Sequence, residues 1–567
     1  MDKVKRVINH LPIIAVLLLS LFAVLPLLGG GFFPIHDNTQ IQRVYEMGNA
    51  LSDGMFPVRW SENLGYGYGY PIFNFYAPLF YYIGGFLTLL GLNALLATKA
   101  TLVFTMLLPG ISMYVLAREF WGKNAAIISS LLYVYAPFHA LNAYVRGDFA
   151  ELLAYGFVPL AIWGVYKTYL EENGKHRWAW MGISSLFISF LIISHNLTAL
   201  MIAPLLAAEV LVFSILYFKR KKKLPLHVFL ALPLGILIAS FYWIPALAEM
   251  KYADVLSVVG GGSNFRDHFV CLIQFWNSPW GYAGSASGCI DGMSFQLGKF
   301  HIAFLLMSVG VLLFLRRARR QWILLAFLLL FIISLFLMTE YSKALWETIP
   351  VMKFFQFPWR FLLISSLSAS FCAGAVIWVI EKKIVKKEVF LPIVFLGILL
   401  VAHYHKFFIP QTINYDSSEF YTNEKQIKWT TSKISDEYLP ENFKVPENEE
   451  DVIGEKIAVD KSAGEVSYLD VRVGEIKADI NLNKDTAVRI NTAFFPAWHA
   501  YLDGEEGMLA SSYGVYSLNV SKGRHRLVFS YEQTFIEKLS NLLSVSGVAL
   551  LFAGIITSRR KNHDKSS

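Results

Sequence analysis

Residues 197–223 read LTALMIAPLLAAEVLVFSILYFKRKKK. Apolar side chains run from Leu197 to Phe218, interrupted by one acid, Glu209, and then five basic residues follow, Lys219–Lys223. At a rise of about 1.5 Å per residue, a helix of that length covers the ~30 Å hydrocarbon core of a bilayer. Without water, every backbone polar group must be satisfied within the segment, so helix is the spanning form. Similar blocks recur at 11–30, 99–117, 124–142, 150–168, 177–195, 228–247, 301–315, 321–339, 359–380, 388–403 and 538–557. The composition agrees: 55% hydrophobic, 16% charged, mean hydropathy +0.46. Gly29-Gly30-Gly31-Phe32 offers no small-residue cleavage site, so the first block reads as a retained helix and not a signal peptide.

The net charge of +8 does not mark a nucleic-acid binder. Basic residues cluster between apolar blocks, at Lys3/Lys5/Arg6, Lys219–Lys223, Arg316–Arg320, Lys382–Lys387 and Arg559–Lys561. Such clusters mark cytoplasmic loops. Chaining them puts both termini in the cytoplasm, and 31–76, 248–300, 340–358 and 404–537 outside. Working back from Lys219, Arg146-Gly147-Asp148 and His195-Asn196 fall on the outer side, and Lys175/Arg177 inside. This parity requires 77–92 to be a re-entrant or interfacial element.

Loop 31–76 is too long for a connector. Ile41, Val44, Tyr45 and Ala50/Leu51 recur at helical spacing opposite Gln40, Arg43 and Glu46, which predicts an amphipathic helix on the membrane surface. Gly65-Tyr66-Gly67-Tyr68-Gly69-Tyr70-Pro71 reads as a flexible aromatic stretch, suited either to stacking on sugar rings or to an interfacial belt. Leu345, Trp346, Ile349, Met352 and Phe355 predict a second surface helix leading to Arg360. Residues 410–455 are polar and irregular. Strand patterns follow at 464–472, 477–483, 487–494, 514–520 and 524–531, with turn signals at Asp503-Gly504 and Lys522-Gly523. Cys271 and Cys289 share one outer loop and are either a disulfide or two free thiols; Cys372 lies in a span.

An ionisable residue in or beside a membrane helix is expensive and marks function by default. His36-Asp37, Arg146, Asp148, Glu151, His195-Asn196, Arg360, Asp267, His268 and Asp291 all receive the outer address. A carboxylate can take a proton from an acceptor hydroxyl. Arginines can hold a phosphate leaving group. Each residue also has a plainer role: Asp37 as a cap, Arg146–Asp148 as an ion pair, His195-Asn196 as a hairpin turn, Arg360 as a snorkelling side chain. Glu209 does not share the outer address. No P-loop, dinucleotide fingerprint or helix-borne zinc motif is present.

The layout of a first helix, an outer loop opening with an aspartate, a juxtamembrane helix and a multi-helix bundle resembles the GT-C glycosyltransferases. More closely, the chain resembles the membrane proteins labelled 6-pyruvoyl-tetrahydropterin synthase-related, with the YfhO-like proteins as relatives. The stretches that carry this are His36-Asp37, Gly69-Tyr70-Pro71 with Phe75-Tyr76-Ala77-Pro78-Leu79, Arg146-Gly147-Asp148-Phe149-Ala150-Glu151, Ser194-His195-Asn196, Phe357-Pro358-Trp359-Arg360, and Phe495–Gly504. The zinc–histidine cluster of a soluble pterin synthase is missing. The resemblance implies that Asp37 is the general base or acceptor-orienting group, beside His36, with Asp148 or Glu151 as the second acid. It implies Arg146 and Arg360 as donor-phosphate ligands. His195, Asn196, Tyr70 and Lys353 complete the substrate-binding candidates. GT-C enzymes often carry an acidic pair in the first loop, whereas here histidine precedes one aspartate, so a divalent metal (Mg or Mn) is left open.

The expected fold is an α-helical polytopic GT-C-like membrane bundle of about 12–13 helices with a C-terminal extracytoplasmic β-sandwich. Residues 1–403 form the transmembrane module, 404–537 the β-rich domain, and 538–567 the final helix and basic cytoplasmic tail. The expected activity is transfer of a sugar from a polyprenyl-phosphate donor to a glycan, lipid or protein acceptor at the outer face of the cell membrane. The lipid bilayer is the other partner, and no nucleic acid is. The alternative is a transporter or flippase of lipid-linked glycans, which requires further charged residues at mid-membrane.

Overall fold

The computed structural model describes residues 2–171, 176–258, 263–315, 319–386 and 389–563. Lys175, Arg316, Arg317 and Lys387 of the basic loops lie outside the described residues, as do the side chains of Lys3, Lys5, Arg6, Arg559, Arg560 and Lys561. Among the described residues, nine helices are long and apolar enough to cross a membrane. The pair Leu226–Ile238 and Ser240–Ala248, bent by 63° at its break, is a broken span or a re-entrant loop and makes a tenth only if it counts as one span. Three apolar helices are shorter: His10–Ala23, Leu79–Leu89 and Lys299–Val311. Block 11–30 is therefore not one straight helix. It breaks after Ser20 into a 3-10 turn, Leu21–Ala23, and a last turn, Leu25–Leu28, that carries Pro26.

Helix Leu79–Leu89 covers only about 16 Å, against the ~30 Å it would have to cross. It packs instead on helix Gln40–Ser52, and Gly85 lets the two approach: a Cβ there would sit 2.7 Å from Met47 Cγ. Helix Gln40–Ser52 corrects the surface-helix expectation. Its polar face is buried as well as its apolar one, with Gln40, Arg43 and Glu46 all at 5% exposure or less. The cover comes from the chain beyond the bundle: Arg43 donates to Ser435 Oγ at 2.9 Å. The second surface helix is also broken. Pro350, which cannot continue a helix, separates Lys343–Thr348 from the 3-10 turn Pro350–Phe355.

The C-terminal domain is two antiparallel sheets. One runs in the order Ile457–Ala458, Thr486–Ala493, Val515–Val520, Ala510–Ser512. The other runs Gly464–Arg472, Glu475–Leu482, Gly523–Tyr531, Trp498–Leu502, Glu505–Glu506. Alternation explains the core: Ile476, Ala478, Ile480 and Leu482 are buried while their neighbours are not. The chain between bundle and sheets lies over the first loop. Tyr66, Tyr70 and Trp60 are sealed beneath it and the sheets, and Trp60 meets Trp498 edge-on at 5.3 Å. The glycine–tyrosine stretch is thus packed, not flexible. Tyr70 is fully buried, its hydroxyl bound to Ser435 O at 2.9 Å, so its face is not open to a sugar and its substrate-binding assignment is corrected.

A buried acid–guanidinium cluster at the bundle rim

The helix pair Ala125–Arg146 and Phe149–Leu170 is joined by a tight turn. The first helix ends in a π-turn, Asn142–Arg146, and Gly147 follows at φ +75°. Glycine is needed there twice over: the left-handed conformation disfavours a side chain, and a Cβ would meet Ile35 at 2.5 Å. The turn delivers Asp148 as N-cap of the next helix, with its Oδ1 accepting the Glu151 N–H at 3.0 Å. The first loop is hydrogen-bonded to this turn. His36 N–H donates to Val145 O at 2.9 Å, Asp37 N–H to Arg146 O at 2.8 Å, and Gln40 Nε2 to Gly147 O at 2.8 Å.

Around Asp148 and Glu151 stand two guanidiniums and an imidazole. Arg146 bonds Glu151 Oε2 at 3.0 Å and Asp148 Oδ2 at 3.2 Å, and also holds Asn142. Arg360, carried by the turn Pro358–Phe361, bonds Glu151 Oε2 at 2.9 Å and lies 3.8 Å from Asp148 Oδ2. The Arg146 guanidinium stacks on Trp359 at 4.5 Å. His195 Nδ1 accepts the Thr198 N–H at 3.2 Å, which leaves the proton of a neutral ring on Nε2, facing Asp148 Oδ2 at 3.9 Å. All five groups are buried.

Burial lowers the His195 pKa despite the two facing carboxylates, so the ring is neutral near pH 7. Burial alone would raise the Asp148 carboxyl, but His195, Arg146 and Arg360 and the Glu151 N–H together hold it below the usual carboxylate range. The two guanidiniums are permanent charges and face the carboxylate whatever the state of His195.

Asp37 and His36 adjoin this cluster through their backbone bonds to Arg146 and Val145. Their side chains are 41% and 65% exposed, with His36 Nδ1 2.8 Å from Asp37 Oδ1. The hydrogen bond to Asp37 raises the His36 pKa, outweighing burial. The disulfide Cys271–Cys289 closes a loop that reaches over this edge, and a Cβ on Gly284 would lie 3.8 Å from His36 Nε2. His268 in the same segment bonds Ser285 and packs on Phe357 at 4.8 Å.

Thus Asp148, Glu151, Arg146, His195 and Arg360 converge, with His36-Asp37 adjoining. Three candidates do not. Asn196 is exposed and turned onto its own Leu197 N–H. Lys353 is exposed on the Pro350–Phe355 turn and makes none of the cluster's contacts. Tyr70 is sealed away. Asp291 serves its own loop, bonding Ser278 and Gln274. Glu209 keeps a buried Oε2 with no hydrogen-bond partner, apart from the cluster. Sequence reasoning missed Asn142, Trp359, Tyr76 and Tyr81. The last two roof the first-loop side, where Tyr81 bonds Gln40 at 2.7 Å and Arg43 stacks over Tyr76 at 4.4 Å.

The ligand atoms of Asp148, Glu151 and His195 lie within 4.8 Å of one another, an arrangement compatible with a divalent cation. Two carboxylates and an imidazole suit Mg or Mn by type. Asp148 Oδ2 and Glu151 Oε2 are paired with the two guanidiniums, which compete with a cation for those oxygens.

Among solved structures, the chain is similar to the apo oligosaccharyltransferase of Archaeoglobus fulgidus, with 16% identity over 79% of this chain and 62% of that one, at a TM-score of 0.42. It is similar to the same organism's oligosaccharyltransferase AglB in complex with an inhibitory peptide and a dolichol-phosphate (15% identity, 76% and 56% covered, TM-score 0.41). It is also similar to ArnT from Cupriavidus metallidurans bound to undecaprenyl phosphate (13% identity, 65% and 76% covered, TM-score 0.27). The chain spans 62% of the length of the first of these. No curated protein matches it. A model of the 6-pyruvoyl-tetrahydropterin synthase related domain, a membrane protein family, matches residues 73–409, more than half of the sequence, and the chain belongs to that family.

Proposed function

We propose that this protein is a GT-C-type glycosyltransferase that moves a sugar from a polyprenyl-phosphate donor to an acceptor at the extracytoplasmic face. The observation that carries this reading is the buried pairing of Arg146 and Arg360 with Asp148 and Glu151, next to the half-exposed Asp37, whose N–H is bonded to Arg146 O. A phosphate linked to a sugar needs fixed positive charge where its leaving oxygen develops charge. Arg146 and Arg360 supply it, and Arg360 Nε is a buried donor with no partner. In the donor's absence the two carboxylates hold both guanidiniums in place.

The acceptor hydroxyl attacks the anomeric carbon from the face opposite the phosphate. A bond forms from acceptor oxygen to that carbon, and the carbon–oxygen bond to phosphate breaks. Its electron pair leaves on the polyprenyl phosphate, and Asp37 takes the acceptor proton. The product is inverted at the anomeric carbon. His36, bonded to Asp37, steadies the charge there as the proton moves. If a divalent cation binds, Asp148, Glu151 and His195 hold it, and it supplies Lewis-acid neutralisation of phosphate charge. Transfer from a synthetic polyprenyl-phosphate sugar by Asp37→Asn is the test. Activity equal to the native protein removes Asp37 from the mechanism.

Glu209 favours a second reading, translocation of a lipid-linked glycan without transfer, because its buried carboxyl oxygen lies mid-span without a partner. Reconstituted vesicles loaded with labelled donor separate the two. Translocation predicts intact donor on the far leaflet, and transfer predicts free polyprenyl phosphate.

A further inference from the structure

A polar cavity lies at the bundle rim, lined by none of the residues of the acid–guanidinium cluster. It measures about 320 Å³ and sits where helix Lys299–Val311 begins and helix Phe390–Tyr404 ends. Its walls include Trp276, Trp280, Lys299, His403, Lys406 and Phe407. Three groups able to carry positive charge thus share one cavity. No carboxylate is among the described residues that line it, and neither lysine has an acidic partner among the described residues. Lys299 Nζ sits 5.7 Å over the Trp276 ring and Lys406 Nζ 5.2 Å over the Phe407 ring, contacts that position ammonium groups without neutralising them. The nearest acid in the loop, Asp291, is engaged by Ser278 and Gln274.

The Trp280 ring packs on Phe407 at 4.8 Å, and its Nε1–H is buried with no hydrogen-bond partner. A buried donor left unmade costs free energy that a ligand oxygen would recover once the ring turns to present it to the cavity. The surroundings place this cavity at lipid-headgroup level. Leu272, Ile273 and Trp276 are more than half exposed beside it, and the two helices below it are apolar. Basic side chains and indoles at that depth match the charge and polarity of an anionic headgroup.

We infer that the cavity between Trp280, Lys299 and Lys406 binds the phosphate group of an anionic membrane lipid, as a site separate from the acid–guanidinium cluster. The lysines neutralise the phosphate oxygens, and the Trp280 N–H fixes one of them. The inference does not depend on glycosyl transfer. The site would hold a phosphate headgroup whether the protein transfers sugars or moves lipids.

The test uses the full chain, purified in detergent and titrated with short-chain phosphatidic acid by native mass spectrometry. Phosphatidylcholine serves as the zwitterionic comparison and sodium phosphate as a competitor. Two basic side chains at an anionic surface predict that Lys299→Gln with Lys406→Gln weakens phosphatidic acid binding about 30-fold. Trp280→Phe, which keeps the ring packing and deletes only the donor, predicts about a tenfold loss. Both variants are checked for native elution and melting temperature, and the conservative tryptophan change stands alone if the double variant fails to fold. Competition by millimolar sodium phosphate supports the site with the free ion sufficing as ligand. Absence of competition supports it with the lipid as source. Native affinity in Trp280→Phe, or equal affinity of the native protein for phosphatidylcholine and phosphatidic acid, overturns the inference.

Discussion

Two buried charge clusters hold the first loop, and they are built differently. The first, Arg146–Asp148–Glu151–His195–Arg360, balances two carboxylates with two guanidiniums and adjoins the half-exposed Asp37. The second lies at the root of the last helix. Arg59 donates to Asn74 at 2.9 Å and Asn541 at 3.1 Å and lies 3.9 Å from Glu537 Oε1. Glu537 accepts from Tyr531 and Thr534, and Glu249 from Asn74 and Thr534. The charged members of this second group are closed off from solvent: Arg59, Glu249 and Glu537 are each at 1% exposure or less. A sealed network joining the first loop, the bent helix pair and the last helix is a latch. An equally buried network beside the half-exposed carboxylate of Asp37 is placed to meet a ligand.

That contrast can be broken experimentally. Asp37→Asn should lower transfer by about 10²–10⁴-fold while leaving the melting temperature unchanged, because the carboxylate is half exposed and its backbone carries the loop contacts. A comparable fall in stability would make it part of a latch. Glu537→Ala should do the reverse. Breaking a buried pair costs about 3–5 kcal/mol, read as a large drop in melting temperature in detergent, with the surviving folded fraction keeping native turnover.

Arg360→Ala should cost about 10²–10³-fold in kcat, with Arg360→Lys recovering part of it, since charge is kept but the paired geometry is not. Chelation of divalent ions should lower turnover by less than about tenfold, because two guanidiniums already neutralise the same carboxylates. A loss as large as that of Arg360→Ala would assign the electrostatic work to a metal.

The smallest effect concerns His36. Its pKa is raised by Asp37, so the charged ring is favoured in the folded protein. Its contribution to stability is complete below its unfolded value of about 6.5 and is lost as pH rises through the raised one. Asp37→Asn should move the His36 titration, followed by NMR, back towards the unperturbed value.

Much of this architecture is legible in the sequence, for physical reasons. Long apolar blocks ending in lysines are unambiguous because a bilayer imposes length. The strands at Gly464–Arg472 and Glu475–Leu482 announce themselves by alternation and a turn. Strand Trp498–Leu502 was not anticipated, since it is short and follows Phe495-Pro496, where no period of two can establish itself. Arg146, Asp148, Glu151, His195 and Arg360 stood out because charge is rare in apolar surroundings. Asn142, Trp359, Tyr76 and Tyr81 did not, because an amide or one more aromatic ring carries no signal in a chain that is 15% aromatic. Helix Gln40–Ser52 misled because its polar face is paid for by residues such as Ser435, and nothing local foretells that cover.

Those distant partners set a timetable for synthesis. Phe32 pairs with Asn414, Arg43 with Ser435, Tyr66 with Ser432 and Arg59 with Asn541. The last two residues are 482 positions apart. At about 5–20 residues per second, a ribosome needs roughly half a minute to a minute and a half to make Asn541 after Arg59. Throughout that interval the first loop waits without these partners, its future interior charges uncovered. The loop is therefore fastened only once the final helix is made, and a nascent chain stopped before residue 541 carries every side chain of the acid–guanidinium cluster but not the anchor that holds the loop beside it.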